Sequence, residues 1–278
     1  MKQAFSVPGR VLILICLFVG SVAALFPLVW LLSTSLKKSS DVFAVPPQLI
    51  PTDPTLANFG YVWTAGGVQQ YFLNSVIIAA GTVIINVGCA TLAGYAFSRL
   101  HFPGRGALFV AVVATMVIPF PSIMISLFGI TKTVGLYGSL FGVMIPLAAV
   151  NLWLSVYIMK NAFAALPLEL QEAAFIDGAS DGRVFLNVML PLVKAPMATA
   201  AILVFTVSWS DFLWPLVVLR DPSSFPISIG LQYFMSMLTG NWHNITAIAI
   251  LASVPTVAVF LLLQRYFFGG TLTGATKG

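Results

Sequence analysis

Four of the eight acidic residues of this 278-residue chain, Glu169, Glu172, Asp177 and Asp181, crowd into the stretch from Glu169 to Pro191. The chemistry open to them is narrow. No H-E-x-x-H, C-x-x-C or G-x-S-x-G occurs, so neither a metal site nor a nucleophile elbow is signalled. There is no G-x-x-x-x-G-K-[ST] phosphate loop, so the chain does not hydrolyse ATP itself. The two histidines, His101 and His243, fall on opposite sides of the membrane in the topology derived below. What remains is docking: dense charge in an otherwise apolar chain marks where it leaves lipid and meets another protein.

The elements that carry this stretch follow from composition. Hydrophobic residues make up 59% of the chain and charged ones 8%, against roughly 25% charged in soluble domains. A span takes about 20 apolar residues, and the length accommodates six. The net charge of +5 comes from singly scattered Lys and Arg, which indicates membrane topology and not nucleic acid. Cys16 and Cys89 both lie inside apolar runs and read as packing residues. The first apolar run, Val11 to Leu32, exceeds the core of a cleavable signal peptide and reads as a retained span.

Further spans read at about Asn74–Phe97, Ala107–Ile130, Ser139–Met159, Ala195–Leu219 and Ile245–Phe267. Ala90, Gly94 and Ser98 repeat at four-residue spacing, which either lets two helices approach closely or reflects ordinary membrane composition. Pro119 and Pro121 should kink or shorten the third span, and Pro146 falls in the fourth. Leu231–Leu238 suits a half-buried helix in the loop before the last span. A cytoplasmic N-terminus puts Lys2, Arg10, Arg99, Arg105, Lys160, Arg183, Lys194, Arg265 and Lys277 on one side. Lys37, Lys38, Lys132 and Arg220 fall on the other. That asymmetry predicts cytoplasmic termini and a cytoplasmic Glu169–Pro191.

Within that stretch, Pro167 suits a first helical turn, and Glu169 and Glu172 favour the positive end of the helix dipole. Leu168, Leu170, Ala173, Ala174 and Ile176 offer apolar contact surface. Asp177-Gly178 should end the helix, since Gly tolerates a left-handed conformation. A second helix, capped by Ser180 or Asp181, would carry Val184, Phe185, Val188 and Met189 on one face until Pro191 interrupts. The product is a helix–turn–helix on the membrane surface. An interfacial helix on lipid would favour Lys and Arg on its polar face; this one is acidic, which favours a partner groove.

Glu172-Ala173-Ala174, three residues, Gly178, nine residues, then Val188-x-Leu190-Pro191 resembles the EAA loop of bacterial ABC importer permeases, with Val188 replacing the usual Ile. Asp177-Gly178-Ala179 is similar to the DGA of the sugar-importing branch. Tyr71-Phe72-Leu73-Asn74-Ser75 resembles the start of the family's second span. Tyr95-Ala96-Phe97-Ser98-Arg99 with Phe102-Pro103-Gly104-Arg105 resembles the next turn. Trp209-Ser210-Asp211-Phe212-Leu213-Trp214-Pro215 resembles a stretch of its fifth span. The end, Thr273-Gly274-Ala275-Thr276-Lys277-Gly278, is similar to the maltose-type tail.

The resemblance implies an all-α membrane protein, a type I ABC importer permease with six transmembrane helices and a cytoplasmic coupling helix–turn–helix. It divides the chain into a first span with a polar extracytoplasmic segment (1–70), a transmembrane domain (71–267, coupling loop 160–194) and a cytoplasmic tail (268–278). The implied role is alternating-access import of a carbohydrate across the bacterial inner membrane. A glycerol phosphate or other non-sugar solute is the alternative, with an ion-driven secondary transporter behind it. The chain would bind no cofactor, ATP and Mg residing on two partner ATPase subunits. A second related permease, an extracytoplasmic solute-binding protein and membrane lipid complete the implied partners.

By the same resemblance, Glu169, Glu172, Ala173, Ala174, Asp177, Gly178, Ala179, Leu190 and Pro191 would couple to the ATPase, and Lys277 in the tail would contact it. Polar residues in the spans add a possible translocation path: Asn86, Asn151, Trp209 and Asp211. Asp211 either belongs to that path, or reaches the outer interface or pairs with a neighbour such as Arg220. Trp209, Phe212 and Trp214 either stack on a sugar ring or mark the interface.

Overall fold

A computed structural model describes residues 7–237 and 240–274. Among the described residues the regular structure is helical, with no strand. Three helices are long and apolar enough to cross a membrane: α1 (Val7–Ser35), α3 (Val68–Arg99) and α13 (Trp242–Gly274). Three bent pairs also qualify, giving six spans if each pair is one. These pairs are α4 (Arg105–Ala114) with α5 (Phe120–Thr133), α6 (Leu140–Val150) with α7 (Leu152–Ala164), and α9 (Asp181–Leu192) with α10 (Lys194–Ser210). Shorter helices are α2 (Ala57–Thr64), α8 (Glu169–Ile176), α11 (Leu213–Val218) and α12 (Ile227–Met237).

The bends have local causes. Pro119 caps α5 in an extended conformation after a 3₁₀ turn at Thr115–Val117, and α4 and α5 meet at 109°. A proline supplies no N–H to carry the preceding helix onward. Between α6 and α7 the 51° bend sits at Asn151, whereas Pro146 lies buried inside α6. The fifth span expected at Ala195–Leu219 is interrupted: α10 ends at Ser210, and α11 is a separate helix.

The chain divides into two compact units, Met1–Gln69 with Leu231–Ser253, and Gln70–Gly230 with Val254–Gly278. In the first, α1 is apolar and exposed from Val11 to Leu32, and the polar segment after it folds back on its end. Asn58 Nδ2 donates to the Ser35 and Lys37 carbonyls, 2.8 Å each. These oxygens close a helix end that has no intrahelical donors left. Lys37 is only 2% exposed; its ammonium donates to the Gln48 carbonyl at 2.6 Å and lies over the Trp30 ring. Exposed Lys38 pairs with Asp53, a hydrogen bond that raises the lysine pKa.

In the second unit α3 carries a packed cluster toward each end. Toward its start, Ile78 joins Val143, Met144, Leu147, Trp214, Val218 and Leu219. Trp214 is fully buried, and its indole N–H donates to the Gly142 carbonyl at 3.1 Å. Asn74 Nδ2 donates to the Ser223 and Phe225 carbonyls, and the Ser75 hydroxyl accepts from the Ile227 N–H at 2.7 Å. Asp221 accepts from the Ser223 N–H, which holds its carboxyl below the usual range.

Toward the far end of α3, Ala90 and Tyr95 join Val156, Met159, Phe163, Val184, Met189 and Val193. Gly94 makes this cluster possible. A Cβ there would lie 2.6 Å from Met159 Cβ and 2.8 Å from the Lys160 nitrogen. Of the two readings of the Ala90–Gly94–Ser98 spacing, the close approach is therefore the one realised, between α3 and α7. Cys16 and Cys89, expected as packing residues, are free and exposed instead. Each lies on a face of its helix that no other described residues cover.

Gly94→Ala should destabilise the permease by about 1–3 kcal/mol, the usual range for overpacking, because the methyl meets backbone atoms. Gly88, with open space at the same position, is the control. Thermal melting of the purified permease should show a lower Tm for Gly94→Ala only; equal melting would contradict the contact.

Candidate functional site

The Glu169–Pro191 stretch forms two helical arms. The first, α8, starts at Glu169 behind an N-cap at Leu168, so Pro167 lies before the helix and not in its first turn. Glu169 and Glu172 both fall in that turn, where carboxylates suit the unpaired N–H groups. The helix ends as its residues dictate. Gly178 takes φ +79°, and N–H groups of Asp177, Gly178 and Ala179 return to the Ala173, Phe175 and Ala174 carbonyls. This is a glycine-closed C-terminus satisfying the last carbonyls.

The second arm, α9, begins after Ser180, whose extended backbone sits at the N-cap without a side-chain cap bond. Its middle, Val184–Met189, is π-helical. Val184 and Met189, five residues apart, are fully buried, with Phe185 and Val188 half-buried beside them. The expected apolar face is thus present on a widened helix. The widening immediately precedes Pro191, which has no N–H and would crowd the carbonyl of Asn187 in a regular helix. Pro191 does not end the arm: the helix continues to Leu192, and the chain turns at Val193 by 74° into α10.

Both arms rest on the Gly94 cluster. Tyr95 meets the Phe163 ring edge-on at 5.4 Å and the Phe185 ring at 4.9 Å. Ala174, Ala179 and Leu190 pack against the cluster. Glu169, Glu172, Ala173, Asp177, Gly178 and Pro191 are exposed. So too are Leu168, Phe175 and Ile176, the last 86% exposed. The motif therefore splits into inward residues that hold the arms and an outward face of carboxylates and apolar side chains. None of the four carboxylates makes an ion pair among the described residues.

The residues expected along a translocation path are dispersed. Asn86 is fully buried, with Nδ2 donating to the Ala148 carbonyl at 2.8 Å and Oδ1 without a hydrogen-bond partner among the described residues. Asn151, at the α6–α7 bend, donates to the Leu147 carbonyl and lines a cavity of about 200 Å³ with Trp153, Thr206 and Val207. Trp209 is 5% exposed, against Phe72 and Phe205. Trp214 is buried as described, leaving Phe212 as the partly exposed ring of the three. Asp211 lies just past α10, where backbone N–H groups of Phe212, Leu213 and Trp214 approach its carboxylate. Arg220 donates instead to the Tyr137 hydroxyl at 2.6 Å. Lys277 lies outside the described residues.

Among the described residues no three His, Cys, Asp or Glu side chains converge as a metal site would require. Sequence reading passed over Tyr95, Phe163 and Arg99 as parts of this site. Arg99, ending a 32-residue apolar helix, was the available signal, because a charge in such a place needs partners.

Helices long and apolar enough to cross a membrane, exposed apolar surfaces and a two-armed helical projection define an all-α multi-pass membrane protein. The chain belongs to the family described as binding-protein-dependent transport system inner membrane component, whose model matches residues 86–271. It is an inner-membrane transport subunit and not an enzyme. It is 34% identical to the arabinooligosaccharides transport system permease protein AraQ of Halalkalibacterium halodurans, over 92% of each chain. It is 32% identical to the trehalose transport system permease protein SugB of Mycobacterium tuberculosis, over 92% of this chain and 93% of that protein. A crystal structure of a bacterial ABC transporter importing the acidic polysaccharide alginate contains a chain of the same fold. Its TM-score is 0.83 at 24% identity, covering 96% of this chain and all of that one.

Gly178→Ala should strain the elbow by about 1–2 kcal/mol, the cost of a side chain in the left-handed region. Limited proteolysis should cut this variant faster between α8 and α9 than wild type or Gly182→Ala, whose Cβ would meet open space. Equal rates would contradict the left-handed closure.

Proposed function

We propose that the chain is a carbohydrate-importing permease driven by separate ATPase subunits through the outward face of α8. The observation that carries this is the split motif: acidic and apolar residues exposed on a helix whose opposite side is anchored in a buried cluster. Such a face suits insertion of a short helix into a partner's groove. The anchored side lets a push on α8 reach α3, α7 and α10 instead of being lost in a hinge.

The remaining partners follow from the family reading: a second related permease, two ATPase subunits carrying ATP and Mg, and an extracytoplasmic solute-binding protein. The termini and coupling arms lie in the cytoplasm, in keeping with the distribution of Lys and Arg. A carbohydrate substrate is supported by the relatives' names, which specify arabinooligosaccharides and trehalose. Asn151, Thr206 and the bend between α6 and α7 supply the polar break in the spans that a solute path requires.

Reconstitution with the cognate ATPases, second permease and binding protein tests this. Uptake of oligosaccharides and disaccharides into vesicles should require ATP, and Glu172→Lys should cut it about tenfold or more while the permease stays inserted. That loss corresponds to at least 1.4 kcal/mol of coupling. Uptake without ATP, driven by an ion gradient, would contradict the importer; undiminished ATP-driven uptake by Glu172→Lys would contradict docking through α8.

A further inference from the structure

The last residue of α3, Arg99, is 7% exposed. Its Nη2 donates to two main-chain carbonyls, those of Phe163 and Leu166, the latter at 2.5 Å. Both belong to the passage from α7 into α8: Phe163 is in the final turn of α7, and Leu166 lies three residues before Glu169. Carbonyls at a helix C-terminus lack intrahelical donors and carry the negative end of its dipole. A guanidinium is well suited to them, because it is always charged and presents several N–H donors in one rigid plane.

The second arm is held by the same face of the same helix. Tyr95, one turn before Arg99, packs between the Phe163 and Phe185 rings. Two successive turns of α3 thus engage both arms, Arg99 through the backbone of the α7–α8 passage and Tyr95 through a side chain of α9. The two attachments differ in kind. Ring packing tolerates sliding, whereas donation to two carbonyls fixes the direction and length of the link. Nearby Arg105 does nothing similar: it is half-buried and, among the described residues, its guanidinium donates to the Leu100 carbonyl in the turn between α3 and α4.

We propose that Arg99 is a positioning residue for transport, the clamp through which displacement of α8 is passed to α3. This rests on the docking role given to α8 above. Lysine keeps the charge and three N–H donors, but its ammonium sits on a flexible stem and has no fixed plane. It would not hold the direction of the bonds to the two carbonyls. The arms would then remain folded on the buried cluster while their movement became uncoupled from that of α3.

The test is the ratio of solute taken up to ATP hydrolysed, measured for the assembled complex in vesicles. Arg99→Lys and Arg99→Gln are compared with wild type and with Arg105→Gln. The clamp predicts that both Arg99 variants keep hydrolysis within about twofold of wild type per complex, while uptake per ATP falls several-fold, less for Lys than for Gln. Arg105→Gln should match wild type. An unchanged ratio in the Arg99 variants would overturn the proposal. So would failure of both to assemble, which would make Arg99 a folding residue only. A wild-type complex without ATP-driven uptake would overturn the transport reading itself, a result distinct from either.

Discussion

At Gly94 the backbone of α3 comes close enough to α7 that a single methyl group would collide with Met159 and Lys160. In lipid, where apolar surfaces gain nothing from leaving water, such proximity supplies the van der Waals contact that holds helices together. Everything at this end of the second unit depends on it. With α3 and α7 at this distance, Tyr95 reaches the Phe163 ring and Arg99 reaches the carbonyls at the end of α7. The space left beside them is filled by Val184 and Met189 of the second arm. The projection is therefore not a flexible loop between spans but an extension of two helices that are already locked.

This arrangement explains why the motif mixes such different residues. Alanines at 174 and 179 are small because they face the packed cluster, and Gly178 is required by a left-handed backbone. The carboxylates are outward and make no ion pair among the described residues, which leaves them open to a partner. Pro191 lies just after a widened turn, and the change of direction follows at Val193. A rigid projection with a chemically distinct outer face is what a transporter without its own ATPase site needs. Under the proposed docking, force enters from another subunit at α8 and reaches the spans through this projection.

Much of this was legible in the sequence. Apolar run lengths revealed the spans, the EAA-type spacing located the arms, and Pro119 announced the sharpest bend. Other features were less legible. Pro146 sits inside α6 and the bend falls at Asn151, because packing can retain a proline inside a helix when the freed carbonyl finds other partners. The fifth span looked continuous through Trp209 to Leu219 because hydropathy does not register the unwinding at Asp211. Cys16 and Cys89 looked like core residues because, in a membrane chain, apolar surroundings in sequence do not mean burial. The role of Arg99 was hidden for a different reason: its partners are backbone carbonyls about 65 residues away in sequence, and no side-chain pattern encodes them.

Packed in this way, both arms and the ends of α3 and α7 should move as one body. Amide hydrogen exchange of the assembled complex, with and without nucleotide, tests it directly. Residues 184–193 should exchange as slowly as residues 90–99, and protection in the two segments should change together when ATP binds. Rapid exchange across 184–193 while 90–99 stays protected would instead show an independently opening loop and no single body.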